Sequence, residues 1–404
     1  MDSPQGNQPG RGGTGAPGRQ PEHDRRRAEL MREGALAAAV TDAEAVELLR
    51  RMVGIASVSG SEDELGLFLA GQLADLGFDT HRDKVGNVIG SLGDDGAPTI
   101  MLLGHMDTVP GGPPLRIDGD RLYGRGAVDA KGPLAAMIVA ASRADRPDGV
   151  RIMVVGVVDE ERDSVGAHEI VATHRADAVV IGEPSGAGTV VVGYKGVLRF
   201  ACSVRRPQAH TSSPEPTASE VAARFWQSLL DFTGTGAQDG PVFRQLSPTL
   251  VRMSGTLTDA ELVVSCRTPM GFDATTFLAD VAELARTIDA RTEITVLENT
   301  PAVRTSRADP VAQALARSIR DRTGDVEFKV KLGTSDMNVL GPAWQVPIAT
   351  YGPGDPHQDH TPDEHILLSE YLLAAEILTG AVDRLATGLA TLSTSHLGRT
   401  PSQT

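Results

Sequence analysis

Apolar residues run almost unbroken from Thr99 to Leu103, stop at Gly104, and give way at once to His105 and Asp107. A run without polar alternation predicts a strand buried on both faces, as in a parallel sheet covered by helices. Arg151 to Val158 and Ala178 to Ile181 read the same way, and Asn87 to Leu92 predicts another strand. Helical spacing separates these runs. Thr41 is a candidate N-cap for a helix reaching Met52, with Ala45, Val46, Leu48 and Leu49 on its apolar face. Glu62 to Leu76 predicts a second amphipathic helix. Lys131 to Ala141 predicts a third, which starts directly behind Asp129.

The pattern changes after Gly186. Two β-rich runs fill Val190 to Arg205, followed by a helix from Pro214 to Phe232 and a strand from Leu262 to Cys266. A helix from Phe277 to Ala290 and a strand from Glu293 to Leu297 complete a β-α-β-α-β string, which fits a small α+β domain inserted into a larger one. Helix then resumes from Asp309 to Arg322, and Val346 to Tyr351 supplies a late strand to the main sheet. The expected organisation is an α/β domain of residues 36–189 and 298–388, interrupted by residues 190–297. Residues 1–35, rich in Gly, Pro, Gln and Arg, predict a disordered tail, and the Ser/Thr-rich residues 389–404 a flexible one. The sequence contains no internal repeats.

Composition narrows the function. With 404 residues and 40% hydrophobic content the chain has room for about two domains of a globular enzyme. No apolar run approaches the roughly 20 residues that span a bilayer. The start of the sequence shows no charged-then-apolar signal pattern, so a cytoplasmic location is expected. The net charge of −15 argues against nucleic acid as the main partner. Two cysteines, Cys202 and Cys266, provide neither a disulfide framework nor a thiolate metal site.

In open α/β sheets chemistry collects beyond the carboxyl ends of the strands. Five stretches place candidate groups at such ends or on a loop: GHMDTVP (His105, Asp107), GRGAVDAKG (Asp129), VVGVVDEER (Glu160, Glu161), VVIGEPSG (Glu183) and YGPGDPHQDHTPDEHI (His360). Taken singly, each has an ordinary structural explanation, such as an N-cap for Asp129 or a solvated strand end for Glu160 and Glu161. Their convergence on one inferred sheet is what points to chemistry. Two imidazoles with several carboxylates suit zinc or a similar divalent ion, and a shared carboxylate suits a pair of ions. Of two adjacent acids, one can bind metal while the other stays free as a base.

From about Leu36 to Leu385 these stretches resemble the dinuclear zinc amidohydrolases, which include aminoacylases, acetylornithine deacetylases, succinyl-diaminopimelate desuccinylases and glutamate carboxypeptidases. The resemblance implies that His105 and Glu183 bind one metal ion, that Glu161 and His360 bind the other, and that Asp129 bridges them. It makes Glu160 the general base and gives Asp107 the task of orienting His105. The inserted segment becomes a lid that usually also forms the interface of a homodimer. His210, in QAHTSSP, matches a lid histidine that stabilises the oxyanion, commonly from the partner subunit. Arg267 matches a lid arginine that holds a substrate carboxylate. Relatives often carry an aspartate two residues before that arginine, where this chain has Ser265.

Lys331 to Asn338 (KLGTSDMN), the stretch from Tyr351 to Thr361 and Gly193-Tyr-Lys-Gly196 are most similar to hydrolases that release lysine or ornithine from an amino-group carrier protein. In those enzymes the amino acid is attached through its α-amino group to the carrier's terminal glutamate. The resemblance implies a carrier protein as substrate and partner, a role in lysine or arginine biosynthesis, and two zinc (or cobalt) ions. It places Lys331, Thr334, Ser335, Asp336 and Asn338 beside Arg267 at the substrate. An acidic carrier meeting an acidic enzyme needs local positive charge, for which Lys195, Arg199, Arg205, Arg206, Arg304, Lys329 and Lys331 are the candidates. The alternatives are a deacylase of small N-acyl amino acids, a metal-binding protein without catalysis (against which the intact Glu160 argues), and a dinucleotide-dependent oxidoreductase, for which the Gly-x-Gly-x-x-Gly run is missing.

Overall fold

A computed structural model describes residues 39–145, 148–234 and 240–397. The two predicted tails, 1–35 and the end of the chain from 398, lie outside the described residues.

The apolar run at Thr99 becomes the strand Thr99–His105, buried along its whole length. It pairs in parallel with Arg151–Val157 on one side and Ala178–Gly182 on the other. The pleat sends alternate side chains to opposite faces, so Ile100 and Leu102 enter one apolar cluster while Met101 and Leu103 enter another. Helices Asp42–Gly54, Asp63–Asp75, Lys131–Arg143, Pro310–Thr323 and Leu368–Leu397 contribute to the first cluster. Val165–Thr173 and Met337–Trp344 contribute to the second. Burial from both sides is why these strands carry no polar alternation.

Among the described residues the sheet has nine strands, in the order 79–82, 88–92, 151–157, 99–105, 178–182, 348–350, 189–194 and 303–304, with 327–331 also on 189–194. The pairings beside Thr99–His105 are parallel. The pairings of 79–82 with 88–92, 88–92 with 151–157 and 303–304 with 189–194 are antiparallel, while 327–331 runs parallel to 189–194, so the sheet is mixed. A second, four-stranded antiparallel sheet orders Ser247–Gly255, Asp259–Thr268, Gly196–Arg205 and Thr292–Thr300. Helices Ala218–Thr233 and Ala274–Ile288 cover one face of it over a separate core that includes Phe200, Phe225, Leu262 and Val281. Thr217 and Glu220 close a capping box on the first helix, and Asp273 caps the second.

The chain leaves the main sheet after Thr189–Tyr194 and enters the second at Gly196. A Cβ at Gly196 would lie 2.4 Å from Thr268 Oγ1 and 2.5 Å from the Thr300 carbonyl, so only glycine fits this crossing. A third small sheet joins His365–Leu367, Arg121–Tyr123 and Arg116–Asp118.

One expectation shifts. The chain was expected to loosen from Leu389, yet the last helix runs from Leu368 to Leu397. Leu389 and Ala390 still pack on the first core cluster, and the hydroxyls of Thr387 and Thr391 bond back to carbonyls four residues earlier, so Ser/Thr content did not end the helix.

Leu102 lies fully buried at the sheet centre. Leu102→Ala is expected to lower unfolding stability by about 2–5 kcal/mol in denaturant titration, because the packed faces cannot collapse onto the void.

Candidate active site

Three strands of the main sheet deliver side chains to one place. His105 ends its strand, Glu160 and Glu161 follow Arg151–Val157, and Glu183 follows Ala178–Gly182. Asp129 arrives on the loop before the Lys131–Arg143 helix, and His360 on a loop where its own φ is +59°.

Asp129 is the hub. Its Oδ1 lies 3.1 Å from His105 Nε2, and its Oδ2 lies 3.0 Å from His360 Nε2. Glu183 Oε1 stands 3.6 Å from the same His105 nitrogen, and Glu161 Oε1 stands 2.8 Å from His360 Nε2. Two sets result, His105–Asp129–Glu183 and Asp129–Glu161–His360, each with ligand atoms within 4.8 Å of one another. Neutral imidazole and carboxylate donors without thiolate fit a hard-to-borderline divalent ion in each set. All five predicted ligands therefore meet.

Asp107 faces both His105 and the loop beyond it. The ring Nδ1 of His105 lies 2.9 Å from the Asp107 backbone carbonyl and 3.4 Å from its carboxylate. The carboxylate also accepts the backbone N–H groups of Glu160 and Glu161, each at 3.0 Å, and the Ser59 hydroxyl at 2.8 Å. It thus holds the loop that carries both glutamates.

The charge balance is severe. Burial, then Glu183, pushes the Glu160 carboxyl well above its ordinary range. Burial and Asp129 raise Glu183 to about 8. Burial, with Asp107, lifts Asp336 to about 7, and its Oδ1 has no hydrogen-bond partner among the described residues. In the other direction, hydrogen bonds to Asp129 and Glu161 raise His360 to about 10. Burial opposes a proton on His105, but its bonds to Asp107 and Asp129 outweigh that and hold its pKa well up.

A cavity of about 500 Å³ opens over the cluster. Arg162, Arg199, Arg267, Lys331 and Thr334 line it, together with Glu298. Arg267 Nη1 reaches Thr334 Oγ1 at 3.4 Å. Glu298, across the strand pair from Arg199 and 3.2 Å from it, puts a carboxylate near Arg267 where Ser265 offers none.

Several expected site residues fall elsewhere. Asn338 donates to the Lys195 and Pro301 carbonyls, accepts from Ser335 N–H and so braces the crossing between sheets, while Ser335 Oγ accepts from Met337 N–H within its own turn; neither lines the cavity. His210 sits exposed on a loop of the second sheet with Nδ1 on Ser212 Oγ at 2.8 Å, away from the cluster. Of the proposed basic rim, only Arg199 and Lys331 face the cavity. Lys195 is buried on the carbonyls of Val242 and Gln245, Arg206 is locked to Asp289 and Glu215, and Lys329 pairs with Glu327. Arg162 adjoins Glu161 in the sequence and joins the cavity unannounced. Glu298 gave no motif signal.

Comparisons with known proteins bear on the family and the fold. The description "Peptidase family M20/M25/M40" matches residues 101–384. A Deinococcus radiodurans protein named LysW-lysine hydrolase is 37% identical over 360 residues, 86% of this chain and 99% of its own length. A Saccharolobus islandicus protein named LysW-lysine/LysW-ornithine hydrolase is 31% identical over 296 residues, 72% of this chain and 82% of its own. Among solved structures, the aminopeptidase PepT of Bacillus cereus superposes with a TM-score of 0.72 at 21% identity, covering 86% of this chain and 100% of that one. The metallo-carboxypeptidase Sso-CP2 of Sulfolobus solfataricus gives 0.71 at 17%, covering 85% and 99%.

Because Asp107 holds the backbone of both glutamates, Asp107→Asn is expected to weaken Zn²⁺ or Co²⁺ binding about 10- to 100-fold in calorimetric titration. Unchanged affinity would show that the loop stands without it.

Proposed function

The chain belongs to peptidase family M20/M25/M40, and from that premise we propose that it hydrolyses the amide joining an amino acid to the terminal glutamate of an amino-group carrier protein. The relatives named as LysW-lysine and LysW-ornithine hydrolases support this substrate class, with lysine, ornithine or a modified relative as the product. The observation that carries the proposal is the pair of ligand sets sharing Asp129, with Glu160 beside them, uncommitted to either set, under a cavity holding Arg267 and Lys331.

His105, Asp129 and Glu183 would hold one divalent ion and Asp129, Glu161 and His360 the other, zinc being the ion of choice and cobalt the substitute. Bound ions of this kind acidify a water and polarise the scissile carbonyl. Glu160 takes the proton of the attacking water and later delivers it to the leaving α-amine. Arg267, with Thr334 and Lys331, receives the one free carboxylate of the carrier's terminal glutamate, whose other carboxyl is part of the scissile amide. Residues 190–297 act as a lid in a cytoplasmic homodimer, where His210 of one copy serves the cavity of the other. Carrier approach is guided by Arg162 and Arg199 at the cavity mouth, against the background of net charge −15.

Intact mass spectrometry of an aminoacylated carrier, incubated with enzyme and Zn²⁺ or Co²⁺, tests the proposal. Loss of one amino acid's mass is expected, with the rate falling about 10²–10⁴-fold for Glu160→Gln. Cleavage of small N-acyl amino acids with the carrier left intact would make the protein an ordinary deacylase. Arg267→Met should raise KM for the carrier more than it lowers kcat; equal KM values would remove Arg267 from substrate binding.

A further inference from the structure

The loop bearing Asp129 and the loop bearing His360 come from distant parts of the chain, and one buried ion pair fastens them together. The Glu364 side chain is fully buried. Its Oε1 accepts the backbone N–H of Val128 at 2.9 Å and of Asp129 at 3.2 Å, and its Oε2 accepts from Arg125 Nη1 at 2.6 Å. Arg125 donates onward from Nη2 to the Thr361 carbonyl at 3.3 Å and from Nε to the Gly111 carbonyl at 3.1 Å. The small third sheet prepares this meeting. Tyr123 pairs with His365, and the Gly124 N–H donates to the Glu364 carbonyl at 3.2 Å.

The two side chains are reciprocal. Glu364 belongs to the His360 loop and grips the peptide of Asp129. Arg125 belongs to the Asp129 loop and grips the carbonyl next to His360. A buried ion pair contributes little net stability compared with well-packed apolar residues, so stability alone does not account for it. His360 has particular need of support. It is 46% exposed, its backbone is left-handed, and it follows a stretch of Gly and Pro rather than a strand.

We propose that Glu364 and Arg125 are positioning residues that fix Asp129 and His360 relative to each other, and so keep the Asp129–Glu161–His360 set ready for its ion. The proposal rests on the reading of that set as an ion site. Neither residue touches ion or substrate; each acts through the peptide beside a ligand.

The test is Co²⁺ titration of the metal-free full-length protein, followed by visible absorption, for wild type, Glu364→Gln and Arg125→Lys. Glutamine keeps the shape and one acceptor but loses the charge pair. Lysine keeps the charge and loses the bond to Thr361. Wild type should bind two equivalents. In each variant the equivalent assigned to Asp129, Glu161 and His360 should weaken about 10- to 100-fold, more than the other, with an altered absorption band. Circular dichroism at the titration temperature establishes that each variant is folded. Two equivalents of unchanged affinity and spectrum in the folded variants would overturn the proposal. A wild type that binds no Co²⁺ would instead overturn the ion-site reading beneath it. Should Glu364→Gln fail to fold, Arg125→Lys decides the matter alone.

Discussion

Buried negative charge is the constraint on which this structure turns. Asp107, Asp129, Glu160, Glu183 and Asp336 crowd the ends of three central strands, with two imidazoles as their nearest positive partners. Like charges out of water raise one another's pKa and oppose the compact state. Cations would resolve that conflict, and two candidate ligand sets share Asp129. The sheet, the loops and the second sheet's strands each serve to hold this unfavourable cluster in place.

The support comes in layers, none of them on the ligands alone. Asp107 holds the backbone of Glu160 and Glu161, and Glu364 holds that of Asp129. Asn338 ties the loop from Lys331 to the crossing at Lys195, where the chain passes to the second sheet. That crossing brings Arg199, Arg267 and Glu298 over the cavity. Peptide groups, more than side chains, are what these outer residues grasp. A carboxylate that accepts two N–H groups fixes a loop more firmly than a single side-chain contact.

The parts legible in the sequence share a local cause. The buried strands announced themselves because both faces are covered, and the five candidate ligands because each follows such a strand or a Gly/Pro-rich turn. Thr41 and Asp309 marked helix starts through their caps. What escaped depends on pairings across the chain. Ser59 meets Asp107 from 48 residues away, and Arg125 meets Glu364 from 239. Glu298 gains its place only because a bulged register sets it opposite Arg199. Asn338 looked like a substrate ligand because its motif carries polar residues, yet its amide is spent on carbonyls. Lys195 and Arg206 looked like a docking rim and are buried on internal partners. Exposure of a charge is a tertiary property, and no run of residues reveals it.

The central claim is that Asp129 stands between two divalent ions. Anomalous X-ray scattering at the zinc edge, from crystals of the zinc-loaded protein, tests it most directly. Two peaks are expected, one among His105, Asp129 and Glu183 and one among Asp129, Glu161 and His360. A single peak, or Asp129 bound only to protein and water, would contradict it.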